Sequence, residues 1–230
     1  TRKLVEEDKV FATVGQLGTE QNLAVRSYLN QAKVPQTLVS TGAAEFGAKG
    51  KEYPWTIGWQ PDYIAEGRRY GIHIKANHAG KKIGILYQQD DYGKDYLYGV
   101  RYGLGPAYSQ ANISAVEDYP TGASSLTSQM LRLRNSGAKV LVLLSLTTPT
   151  IIALRTAKAL NFNPDGIYMN SVSALKPVMD ALQANPGNSY INGMFSSAYI
   201  KDPQDDRWNN DAAMRLYRTI IQKYGGGANA

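Results

Sequence analysis

Lys139-Val140-Leu141-Val142-Leu143-Leu144-Ser145-Leu146 is an apolar run with none of the in-and-out alternation of a half-exposed strand. A strand that is apolar on both faces is covered by helices on both faces, the mark of a buried parallel sheet. Working outward, Lys81-Lys82-Ile83-Gly84-Ile85-Leu86-Tyr87 and Asn112-Ile113-Ser114-Ala115-Val116 precede it, and Gly166-Ile167-Tyr168-Met169 follows. The runs recur at intervals of roughly 25 to 30 residues, the length of one strand plus a crossover helix. Between them Tyr92 to Tyr108, Ser125 to Arg134 and Pro149 to Leu160 carry helical spacing. In the second, Leu126, Met130, Leu131 and Leu133 form the apolar stripe, with Arg132 and Arg134 outside it. Gly137 stops that helix and Asn161 to Gly166 stops the next. Strand–helix–strand repetition predicts a doubly wound, mostly parallel α/β sheet.

Upstream, Lys9 to Gly15 and Gln36 to Ser40 read as two further strands around a helix from about Thr19 to Ala32. Downstream, Ile191 to Tyr199 reads as a strand and Asp205 to Tyr224 as a long helix, which runs into a flexible Gly225-Gly226-Gly227 stop. Two parallel strands before residue 60 cannot bury both faces of a sheet. The reading therefore expects a chain truncated at both ends, starting inside a helix at Thr1 to Glu7.

At 230 residues the chain suits one large or two modest domains. Its 43% hydrophobic and 19% charged residues exclude a disordered chain, and its mean hydropathy is -0.35. No apolar run approaches the ~18 to 20 residues that a membrane-spanning helix needs, so the chain is not membrane-embedded. With no cysteine, disulfides, thiolate zinc sites, iron–sulfur clusters and a cysteine nucleophile are excluded. His73 and His78 lack zinc spacing and an HExxH glutamate, and read as surface or helix-end histidines; no metal and no cofactor are expected. The net charge of +6 is not gathered into a basic stripe, so it reads as a solvated surface and nucleic acid is not an expected partner. Thr1-Arg2-Lys3-Leu4-Val5-Glu6-Glu7 is not a signal peptide. An enzyme is the rival class, but no nucleophile elbow, P-loop or dinucleotide fingerprint occurs. Asp90-Asp91 and Asp205-Asp206 read as helix-start acids.

Four stretches carry a resemblance together: Val14-Gly15-Gln16-Leu17-Gly18-Thr19, Leu38-Val39-Ser40-Thr41-Gly42-Ala43, Tyr87-Gln88-Gln89-Asp90-Asp91-Tyr92-Gly93 and Met169-Asn170-Ser171-Val172-Ser173. In order and interval they resemble the periplasmic solute-binding proteins of ABC importers, in the leucine/isoleucine/valine-binding (type I, extracellular ligand-binding receptor) group. The resemblance implies two α/β lobes, each a doubly wound sheet, with the ligand in the cleft between them. It places residues 1–58 in the first lobe, 59–198 in the second and 199–230 in a return to the first. It implies a periplasmic, monomeric binding protein, with a signal peptide absent from this chain, serving a membrane permease. A ligand-sensing receptor domain of the same fold is the alternative.

The ligand of such sheets binds beyond the carboxyl ends of the strands, at helix N-termini. Gly18 and Thr19 open a helix there, where Thr19 is either a ligand hydroxyl or simply an N-cap. By resemblance, Thr19, Ser40, Thr41 and Gly42 form a carboxylate cradle, Tyr92 closes on the ligand from the second lobe, and Leu146, Thr147 and Ser171 complete the ligand-binding set. Tyr53, Trp55 and Trp59 read as hinge packing. Amino-acid binders of the group carry a threonine where this chain has Ala44, and an acid near the position of Ser171. Since a buried ammonium without a carboxylate is costly, the sequence points to an aromatic or aliphatic acid without an amino group, with a branched-chain-type amino acid kept open if another segment supplies the acid.

Overall fold

The computed structural model describes residues 1–226. Gly227, the last glycine of the expected flexible stop, lies outside them. In chain order the elements are α1 (Arg2–Glu6), β1 (Thr13–Val14), α2 (Thr19–Gln31), β2 (Gln36–Val39), α3 (Glu45–Ala48), β3 (Thr56–Gly58), α4 (Tyr63–Asn77), β4 (Ile83–Gln88), α5 (Asp91–Leu104), α6 (Pro106–Asn112) and β5 (Ile113–Tyr119). They continue with α7 (Thr127–Asn135), β6 (Val140–Leu144), α8 (Thr147–Ala159), β7 (Gly166–Met169), α9 (Lys176–Leu182), α10 (Asn188–Ile191) and α11 (Ala212–Tyr224). Two sheets form: β1-β2-β3 and β5-β4-β6-β7, with every pairing parallel.

The decisive run is β6, all of whose residues are buried. Val140, Val142 and Leu144 pack with Tyr70, Ile74, Tyr96 and Val100 of α4 and α5. Leu141 and Leu143 point the other way, toward Met130, Leu133, Ala153 and Leu154 of α7 and α8. Each such side chain contributes about 1.5–3 kcal/mol on full burial, which is why this strand must be apolar throughout. The first core runs on through Tyr92 and Tyr63 to Val39, Ala43 and Phe46, so the two sheets share apolar packing.

In the first sheet three strands pair, where the sequence promised two; β3 is too short to show a pattern. Polar bonds tie α2 to this sheet. Gln36 donates to Asn22 Oδ1 at 2.9 Å, Thr56 donates to Gln36 Oε1 at 3.1 Å, and Asn30 donates to Thr56 Oγ1 at 2.8 Å. On the opposite face Val14, Leu38 and Ile57 are exposed.

The glycines of α4 and α5 form a seam. A methyl built on Gly67 would lie 2.4 Å from the Tyr96 carbonyl oxygen, and one on Gly103 would lie 2.2 Å from that of Arg68. The two backbones touch directly, as small residues four apart allow.

Several boundaries differ from the sequence reading. The helix expected to reach Tyr108 ends at Leu104, because Gly105 takes φ 82° and Pro106 starts α6. The strand expected over Ile191 to Tyr199 is a single bridge, Phe195 to Tyr168, since Gly193 turns at φ 82° and Ser197 bonds Tyr70 instead. The long helix from Asp205 is a 3-10 turn followed by α11, which Asp211 caps by accepting from the Met214 N–H. His73 is half-buried, stacked on Phe195 and 2.8 Å from the Tyr168 hydroxyl, whereas His78 ends α4 as expected. No described helix is long and apolar enough to cross a membrane.

Candidate functional site

The loops after β1, β2 and β4 and the start of α4 meet between the sheets. Gly18 bonds back to the Ser40 carbonyl at 3.3 Å, while Ser40 N–H donates to the Gln16 carbonyl at 2.9 Å. These bonds lock the first two candidate loops together. Gly18, at φ 107°, takes the N-cap position of α2, so Thr19 is not the cap. Its hydroxyl is instead buried 2.6 Å from that of Thr41. Thr41 also lies 3.4 Å from the Tyr63 hydroxyl and accepts from Ala43 N–H at 3.1 Å.

Gly42 is required by packing: a side chain there would meet the Pro61 carbonyl oxygen at 2.4 Å and the Tyr63 ring at 2.8 Å. Burial raises the Tyr63 phenol, while the Thr41 hydroxyl and the Gly42 N–H beside its oxygen lower it; Thr41 N–H is spent on the Val39 carbonyl. The cradle therefore offers the open N–H groups of the α2 N-terminus. Arg26, which sequence reasoning missed, braces this loop. Its guanidinium lies 3.9 Å over the Tyr53 ring and bonds Glu45 at 3.1 Å, so Tyr53 packs against α2 where the sequence reading expected hinge packing.

Tyr92 meets Tyr63 edge-on at 5.0 Å and Tyr96 at 5.4 Å. It is buried, its hydroxyl has no partner, and burial pushes its phenol well up. A buried hydroxyl left unpaired costs about 1–3 kcal/mol, so the residue stands ready to bond something placed beside it. From the second sheet, Asp95 reaches across to accept the Ala44 N–H at 2.8 Å. Burial pushes the Asp95 carboxyl up, and Asp91, Asp62 and Glu45 add to the effect.

The structure does not bring every candidate to one point. Leu146 is exposed, with its N–H on the Tyr119 hydroxyl at 3.3 Å, and Thr147 begins α8. Ser171 lies on the wall of a separate 580 Å³ cavity that also touches Leu17, Gln60 and Tyr199. Thr41 and Gly42 line a 560 Å³ cavity with Trp59 and Asp62. Trp59 rests edge-on against Tyr199 at 6.1 Å, while Trp55 is exposed.

The expectation of a wall without a carboxylate near Ser171 is overturned. Glu66 of α4 accepts the Ser171 N–H and hydroxyl, both at 2.7 Å. The two are 105 residues apart, and only the fold joins them. Among the described residues no group of histidines and acids is placed to hold a metal ion.

A search of curated protein sequences finds no match. Solved structures do match. A substrate-binding periplasmic protein from Ralstonia solanacearum superposes with a TM-score of 0.81 at 19% identity, over 100% of this chain and 61% of that one. A possible leucine/isoleucine/valine-binding protein from Rhodopirellula baltica gives 0.78 at 22% identity, over 100% and 59%. An ABC transporter solute-binding protein from R. palustris, in complex with 4-hydroxybenzoate, gives 0.65 at 16% identity, over 78% and 49%. The chain thus spans about three fifths of the length of the first two, 61% and 59%. The family model described as periplasmic binding protein matches residues 1–230. Parallel sheets, strand-end loops and a model match over the whole chain agree, and the chain belongs to the periplasmic binding protein family.

Proposed function

We propose that this chain is the ligand-capturing part of an ABC importer's solute-binding component, which holds a small carboxylate between two lobes that close on it. The lobes are residues 1–58 with the return segment 199–230, and residues 59–198. The protein works as a monomer in the periplasm and hands its ligand to a membrane permease. The observation that carries this reading is the bridge from Thr19 through Thr41 to Tyr63, with the unpartnered Tyr92 hydroxyl beside it. Hydroxyls beside a helix N-terminus suit a carboxylate. The ligand of the R. palustris neighbour, 4-hydroxybenzoate, is itself a small aromatic carboxylate. Aromatic and short aliphatic acids and branched-chain-type amino acids are the candidates.

Thermal-shift screening of the full-length protein against such acids tests this. A ligand at a hundred times its Kd should add about 2.7 kcal/mol of stability, with the ligand recovered unchanged. Indifference to every carboxylate, or turnover of one, refutes the reading.

A further inference from the structure

The outer side of the α4–α5 pair carries a face that the ligand site does not use. The glycine seam holds the two backbones together, so their outward stripes lie side by side: Arg68, Ile72 and Lys75 on α4, and Tyr98, Arg101 and Tyr102 on α5. The Arg68 guanidinium stands 5.1 Å over the Tyr102 ring, and the Tyr98 and Tyr102 rings stack at 6.2 Å, only 6° from parallel. Tyr98 is 59% exposed, Tyr102 58% and Ile72 45%. Arg68, Lys75 and Arg101 are exposed too, as is Arg69 beside them, and among the described residues none of these cations is in an ion pair. The acids of the two helices are engaged elsewhere: Glu66 accepts from Ser171, Asp95 from the Ala44 N–H, and Asp62 and Asp91 sit at the N-terminal ends. The sequence shows no basic stripe because the cations are split between two helices that meet only on folding.

We propose that this face docks on an anionic lipid surface, with the cations among the head-group charges and Tyr98, Tyr102 and Ile72 at the boundary beneath them. Charge complementarity names the occupant, and the exposed rings fit it. A tyrosine has an apolar body and a polar tip, the form enriched where lipid meets water. Arginine and lysine stems lie along apolar surface while their charged ends stay with the head groups. Each such cation near an anionic surface strengthens binding by about five-fold, so the attachment is peripheral and salt-sensitive. An acidic protein would match the cations as well, but protein hot spots are seated in pockets, and neither cavity described above reaches this face. Nothing in this depends on the carboxylate ligand; delivery to a membrane permease only brings the face within reach of lipid.

The test is co-sedimentation of the full-length protein with vesicles of phosphatidylethanolamine and phosphatidylglycerol, with phosphatidylcholine vesicles alongside. The unmutated protein should sediment with the anionic vesicles at low salt, hardly at all with phosphatidylcholine, and be released as salt rises. Arg68→Gln combined with Arg101→Gln should weaken binding by roughly thirty-fold, at about five-fold per cation. Lys51→Gln combined with Lys139→Gln removes the same charge from other exposed sites and should cost far less. Tyr98→Ala combined with Tyr102→Ala should weaken the binding that survives raised salt. Every position changed is exposed, so each variant should melt with the unmutated protein. Equal losses from the two charge-removing pairs would assign the binding to the net charge of +6 and overturn the inference, as would no binding to the anionic vesicles. Retention on immobilised polyglutamate without vesicle binding would give the face to an acidic protein and overturn the lipid assignment. The small-carboxylate reading survives each of these results, since its thermal-shift test involves no lipid.

Discussion

Replacing Gly99 by alanine puts a methyl carbon 2.3 Å from the Ile64 carbonyl oxygen and 3.0 Å from the Arg68 nitrogen. Ordinary contact begins at 3.4 Å, and both obstructing atoms are backbone. No side chain can swing aside, so α4 and α5 must part by about 1 Å in a core packed at crystal-like density. Overpacking of this kind costs about 1–3 kcal/mol, and alanine's better helix propensity returns about 1. With both obstructing atoms in the backbone the cost lies at the upper end of that range, about 3 kcal/mol, and the expected net loss is about 2 kcal/mol. At this chain length each kcal/mol moves the melting temperature by about 2–4 °C, so Tm should fall by about 4–8 °C. Urea denaturation of the full-length protein measures the change, and Gly47→Ala is the control. Gly47 is exposed in α3 with nothing within 4 Å, and its replacement should be neutral or slightly stabilising. A Gly99→Ala midpoint equal to that of the unmutated protein would refute the direct backbone seam.

Tyr92→Phe removes a buried hydroxyl that has no partner; the ligand-free protein should gain up to about 1–3 kcal/mol, while affinity for the small carboxylate falls, and a loss of unliganded stability on thermal melting would show that the hydroxyl is satisfied. Asp95→Asn keeps an acceptor for the Ala44 N–H but drops a desolvated charge. Because the folded protein holds the Asp95 proton more tightly than the unfolded chain, stability from this group is present below the ordinary carboxyl range and falls as pH rises through the raised folded value. The variant should flatten that decline in a pH series of melts, and an unchanged slope would count against it. Asp95→Ala leaves the Ala44 N–H unpaired and should cost about 1 kcal/mol or more at neutral pH.

The second sheet was legible because β4, β6 and β7 are apolar runs whose burial on both faces leaves no alternative pattern. The first sheet was legible only in part. Its strands have two to four residues, and its contacts with α2 run through Asn22, Gln36 and Thr56, polar residues that carry no hydrophobic periodicity. Gly67, Gly71, Gly99 and Gly103 did carry a signal, a four-residue spacing in two neighbouring helices, which hydrophobic counting passes over. Thr19 and Thr41 were singled out and do meet, although Gly18 rather than Thr19 caps the helix. Glu66 could not be found, since in the chain it is an ordinary first-turn glutamate, and its link to Ser171 exists only after folding.

The contact between Trp59 and Tyr199 has an optical consequence. The chain has three tryptophans, and Trp55, Trp59 and Trp208 all lie outside the β5-β4-β6-β7 sheet and its helices. Emission excited at the red edge of the tryptophan band therefore carries no signal from that sheet. It samples the start of β3, Trp208 with Lys201 over its ring, and Trp59, 6.1 Å from Tyr199. On the proposed two-lobe reading, motion of one sheet against the other bends the chain near Trp59 and changes the solvent around that indole. The protein would thus carry its own dye beside the bend, and a stopped-flow trace of its fluorescence would time the motion without a label.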